Sequence, residues 1–181
     1  DESTIGQFDS GLKFAIALLL RNKVSMVIKT YDMDGILNVY KFSTSVKKCK
    51  NTNKEKELID INFIDYSDDT SGTIETGFAL QMGYNWNLWM ALRELWSNML
   101  DEKGYILENH KDLDIQYGTV ITLEFDENSE FFEIWNNKHL YINQKEPIFK
   151  VSSSVDVLEN EENYLRIYKQ NILVYEDKER P

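Results

Sequence analysis

Two apolar stretches, residues 24–30 and 36–42, stand on either side of Tyr31-Asp32-Met33-Asp34-Gly35. An Asp-Gly pair between strand-forming runs favours a tight turn with positive φ, and hence an antiparallel hairpin. A third stretch, residues 59–64, alternates Ile59, Ile61 and Phe63 with Asp60 and Asn62, the period of a half-buried strand. Together these stretches predict an antiparallel meander. Between the second and third, residues 45–57 carry five lysines and no aromatic residue, and a solvated loop without function is expected there.

Helices are expected in three places. Residues 12–21 are apolar on nearly every side, which suits a helix buried between layers. A stronger signal spans about residues 88–102, closed by Lys103-Gly104, and a short helix is expected at 130–136. Residues 67–77 and 156–162 read as polar or acidic loops, and further strands are expected at 119–125, 148–152, 164–168 and 172–175. Strands and helices without regular βαβ alternation predict an α+β fold, a two-layer sandwich with a mostly antiparallel sheet and helices on one face. With no repeat or linker-like segment, the 181 residues are expected to form a single domain. The absence of an initial Met leads us to expect that an upstream piece has been removed.

Composition narrows the class. The net charge of −11 repels phosphate over most of the surface and works against generic nucleic-acid binding. The longest apolar run, residues 14–20, is far short of the roughly 20 residues a membrane span requires. Cys49 is the single cysteine, so no internal disulfide can form, and a reducing, cytoplasmic setting is expected. Asp32-x-Asp34-Gly35 lacks the downstream acidic residues of a calcium loop and fits a hairpin turn better. His110 and His139 have no partners at metal spacing, and Trp86, Trp89 and Trp96 read as core.

The 88–102 segment also carries the strongest chemical signal. At about 100° per residue, Glu94, Asn98 and Asp101 line one helix face, while Leu88, Leu92, Leu95, Trp96 and Met99 fill the opposite arc. The order Leu92-Arg93-Glu94-Leu95-Trp96-Ser97-Asn98-Met99-Leu100-Asp101 resembles the N-box of the GHKL ATPases, the superfamily of gyrase B, heat-shock chaperones, histidine kinases and MutL. A second stretch, Ile5-Gly6-Gln7-Phe8-Asp9-Ser10-Gly11-Leu12-Lys13, resembles that superfamily's glycine-rich box, in which a loop wraps phosphates and a helix begins at once. Backbone N–H groups at a helix start present partial positive charge to an anion, and glycine lets it approach closely. A P-loop is rejected, because Leu12 stands where that motif needs Lys and no strand precedes it.

The resemblance implies a Bergerat-like ATP-binding domain that uses Mg²⁺ and ATP hydrolysis as a conformational switch. Glu94 would be the general base, Asn98 would hold Mg²⁺, and Asp101 would support the nucleotide pocket. Gly6, Gln7, Ser10, Gly11, Leu12 and Lys13 would surround the phosphates. Asp126, which follows the 119–125 strand, stands where the family's adenine-binding aspartate falls. The boxes occur in reversed order, which implies a circularly permuted chain with Gly11 beside the Glu94 helix. Asp9 replaces the family's third glycine and no glycine follows Asp126. These departures point to an alternative, an acidic protein that keeps the fold and binds a macromolecular partner, or a second copy of itself, without nucleotide turnover.

Overall fold

The computed structural model describes residues 10–31, 34–48, 54–106, 118–142, 149–152, 155–157, 165–169 and 171–177. They belong to two compact units, Asp1–Phe132 and Glu133–Pro181. The architecture is α+β.

In the first unit, helix α1 (Gly11–Arg21) leads into strands β1 (Ser25–Tyr31), β2 (Leu37–Lys48), β3 (Glu55–Asp65) and β4 (Thr70–Ala79). Helix α2 (Leu88–Asp101), strand β5 (Gly118–Glu124) and the start of α3 (Glu130–Asn136) follow. The five strands form one fully antiparallel sheet in the order β4-β3-β2-β1-β5. Tyr31 pairs with Leu37 across the first hairpin, and Gly35 adopts φ 76°, the backbone state its turn demands.

Register assigns the faces. Phe42 pairs with Ile61 and Ile28 with both Tyr40 and Ile121, so these residues share a face with Met26 and Ile59. Helix α1 packs on it. Ala17, Ile59 and Leu80 form a buried cluster joined by Ile16, Leu20, Phe42, Phe78 and Met82. Helix α2 packs against α1 and buries Leu88, Ala91, Leu92, Leu95 and Trp96. Because α1 lies between the sheet and α2, its buried residues Ala15, Ala17, Leu18 and Leu19 occur on several sides.

Two expected loops are strands. β2 runs to Lys48 and β3 starts at Glu55, with Lys48 opposite Glu55, so the lysine-rich stretch prolongs a hairpin on both sides of residues 49–53, which lie outside the described residues. Strands of this kind are held by cross-strand backbone pairing, and their side chains can remain polar where no layer covers them. The second is β4, expected as the 67–77 loop. It is an edge strand whose Ser, Thr and Gly residues are mostly exposed, so no apolar alternation marks it.

Both ends of α2 are set by non-local or crowded contacts. Arg21 donates to the carbonyls of Leu80, Met82 (2.8 Å) and Gly83 (3.2 Å), pinning the segment that leads into the helix. Gly83 has φ 63°, and a Cβ there would lie 2.9 Å from Phe14 Cβ; Phe14 in turn meets Trp86 edge-on at 5.3 Å. At the far end Lys103 N–H reaches Leu100 O at 3.0 Å and Gly104 N–H reaches Met99 O at 2.7 Å, a Schellman motif. The left-handed residue is Lys103, φ 57°, not the glycine. Gly104 is required for space instead, since a Cβ would lie 2.8 Å from Met99 Cγ.

The second unit contains the end of α3, a 3-10 turn (Lys138–Leu140), and two antiparallel pairs: β6 (Phe149–Ser152) with β7 (Val155–Val157), and β8 (Leu165–Lys169) with β9 (Ile172–Asp177). Val155–Val157 corrects the expected 156–162 loop at its start: pairing with β6 makes a strand of a segment too short to show a period. Ile172 and Leu173 are buried, Leu173 N–H reaches Tyr141 O at 2.8 Å, and Tyr168 Oη donates to Leu140 O at 2.7 Å.

Candidate functional site: the start of α1 against the acidic face of α2

The start of α1, like that of α2, carries no side-chain cap among the described residues. Its first turn has no acidic residue, and the Ser10 side chain makes no capping hydrogen bond. Free N–H groups there carry partial positive charge. A carboxylate of α2 lies against Gly11. A Cβ built on Gly11 would lie 2.6 Å from Glu94 Oε2 and nearer still to the rest of that carboxylate. Only glycine leaves room for this approach.

Around Glu94 the acidic face of α2 is half-buried, as are Asn98 and Asp101. Burial holds the Glu94 carboxyl above the ordinary carboxylate range; the neighbouring Arg93 charge and a hydrogen bond from Asn98 oppose that shift, and Asp101 adds to it. Arg93 is itself half-buried, its guanidinium 5.8 Å from the Trp86 ring centroid and 5.4 Å from that of Trp89, and burial lowers its pKa. Ser97, also buried, turns its hydroxyl back to Arg93 O at 2.9 Å.

Of the sequence-predicted residues, the structure thus brings together Gly11, Glu94, Asn98 and Asp101. Ser10 is exposed at the α1 start and Leu12 is half-buried on the helix. Lys13 points away from this cluster. Its ammonium lies 5.0 Å from the Phe78 ring centroid, and it helps to line a small apolar pocket of about 30 Å³ with Ile16, Phe42, Ile59, Ile61, Thr76 and Phe78. Asp126 forms the turn before α3: its Oδ1 accepts from Asn128 N–H at 2.7 Å and from Asn128 Nδ2 at 3.1 Å, while Ser129 Oγ donates to its carbonyl at 2.6 Å. Gly6, Gln7 and the substituted position Asp9 lie outside the described residues.

Sequence reasoning missed the Arg21 clamp and the Arg93 position between two tryptophans. The one signal for Arg21 is a basic residue in the last turn of a helix, which usually serves its own carbonyls rather than a distant loop. Among the described residues no group of three or more His, Cys, Asp or Glu side chains is placed to hold a metal ion. No described helix is long and apolar enough to cross a membrane. Compared with protein-family models, curated proteins and solved structures, the chain matches none of them.

Proposed function

We propose that the chain is a permuted GHKL-like ATP-binding domain, acting in the cytoplasm, in which Glu94 is the general base for slow ATP hydrolysis. The observation that carries this reading is the Glu94 carboxylate seated against Gly11 at the start of α1. A helix start suited to phosphate and a carboxylate of raised proton affinity then serve one small volume. Glu94 would take a proton from the water whose oxygen attacks the γ-phosphorus, as the bond to the ADP oxygen breaks and inorganic phosphate leaves. Asn98 fits a role toward Mg²⁺: with its amide nitrogen engaged by Glu94, its neutral oxygen remains, and an ion bound to phosphates keeps several waters and needs few protein ligands. When bound, that ion would neutralise charge on the phosphate oxygens.

A second reading has its own support. Lys13 rests on Phe78, and the Asp126 carboxylate is engaged by Asn128, so two residues expected at the nucleotide hold other partners. An acidic interaction module that binds a protein partner or a second copy, without turnover, follows from them. Calorimetric titration with ATP and a non-hydrolysable analogue, with and without Mg²⁺, separates the readings. Mg²⁺-dependent binding is expected for the ATPase; absence of heat at millimolar nucleotide leaves the interaction module.

A further inference from the structure

On one side the five-stranded sheet ends in β5, which pairs with β1 residue for residue, Ser25–Tyr31 against Gly118–Glu124, without a register shift. Among the described residues no strand pairs with its other edge. An open edge is a row of unpaired N–H and C=O groups, and proteins commonly guard one with lysine, proline or a bulge. β5 has none of these. Its residues Thr119, Val120, Ile121, Thr122 and Leu123 are good strand formers, and Thr119, Ile121 and Thr122 are exposed, Ile121 by 37%. The opposite edge differs: β4 meets a register shift at Ile59/Asp60 and turns left-handed at Gly77, φ 72°.

Ile121 also ends an apolar row that crosses the sheet. It pairs with Ile28, Ile28 with Tyr40 and Tyr40 with Phe63, and none of the four is fully buried. The row lies on the face where α1 packs. On the other face, Lys29 pairs with Val120 and stands exposed two residues from Tyr31, the partner of Gly118.

We propose that β5 is the contact strand of a homodimer, pairing antiparallel with β5 of a second copy about a two-fold axis at Ile121 and joining two five-stranded sheets into one. Charge selects this occupant and this register. Glu124 is the only charged residue of β5, and an axis at Ile121 sets it opposite the partner's Gly118 rather than against a second Glu124. Gly118 has no side chain, so Glu124 extends over it toward the partner's Lys29, on the face away from α1. Two strands over and two residues along is about 12 Å between Cα atoms, a span that lysine and glutamate side chains together cover. Self-association of a chain with net charge −11 needs such an acid-to-base match, and the axis supplies it twice. On the α1 face Ile121 meets its own copy, and the apolar row from Phe63 to Ile121 continues into the partner. This surface gives the second copy of the interaction reading a place to bind. It involves neither Glu94 nor nucleotide, so the two tests succeed or fail separately.

Sedimentation of the full chain from low to high micromolar concentration should show a species of twice the chain mass. Ile121→Lys, which sets two ammonium groups face to face, should return the monomer. Lys29→Glu, at an exposed position, serves if that variant does not fold: it should weaken the dimer about tenfold or more, and adding Glu124→Lys should recover the loss. In a Cys49→Ser background, Ile121→Cys should oxidise to a disulfide-linked dimer, since directly opposed residues lie about 4.5–5.5 Å apart at Cα. Ile74→Cys on the β4 edge should not. A monomer at every concentration, a dimer that persists in Ile121→Lys, no recovery in the charge-swapped double variant, or equal cross-linking from β4 would overturn the proposal.

Discussion

Gly11 and Glu94 stand 83 positions apart in the chain, yet the Cα of one is in contact range of the carboxylate of the other. Gly→Ala inside a helix normally stabilises by about 1 kcal/mol. Here the sign should reverse: Gly11→Ala forces the methyl group into Glu94 and is expected to destabilise by about 1–3 kcal/mol in urea unfolding. Combining it with Glu94→Ala should restore much of the loss, a non-additivity that a double-mutant cycle measures. Additive effects would show that the two residues do not meet.

The pH dependence of stability follows from the Glu94 shift. Its folded pKa lies above its unfolded value, so the folded state binds the proton more tightly. That contribution is present in full below the ordinary glutamate pKa and is lost as pH rises through the folded value. Glu94→Gln, which cannot ionise, should therefore gain stability relative to wild type between about pH 4 and neutrality. Unfolding midpoints of both proteins across that range check it; a difference independent of pH would rule the shift out.

Catalysis, if Glu94 is the base, should respond to shape-preserving substitution. Glu94→Gln is expected to retain ATP affinity while turnover falls by roughly 10²-fold or more. Asn98→Ala should weaken Mg²⁺-dependent binding instead. Unchanged hydrolysis in Glu94→Gln removes the proposed role of that carboxylate whatever the affinity.

Arg21 holds three carbonyls of the segment before α2, and a shorter or uncharged side chain cannot span them. Arg21→Ala should cost about 2–4 kcal/mol, since charged donors contribute more than neutral ones and burial leaves the carbonyls unpaired. Hydrogen exchange should locate the loosening at residues 80–87 and the first turn of α2. Protection unchanged there would show that the clamp is not formed in solution.

Local chemistry determined a definite part of this protein. The Asp-Gly turn gives the β1–β2 hairpin, the 3.6-residue period separates the buried and acidic faces of α2, and the 130–136 segment is α3 as expected. In each case the signal lies within a few residues of the structure it specifies. The tertiary structure alone decided the rest. β4 and the outer ends of β2 and β3 are strands because a neighbour supplies hydrogen bonds to the backbone, and their polar side chains record nothing of that pairing. Lys13 and Gly11 are two positions apart on a helix, roughly 200° around its axis, and so face different layers. One meets Phe78 and the other Glu94. Asp60 reads in sequence as an outward strand residue, yet it is buried, on the face where Lys47 and Glu75 form an ion pair and a bulge sets Glu75 beside it. Propensity and periodicity act through the covalent neighbourhood, whereas burial and charge depend on which surfaces the folded chain brings together.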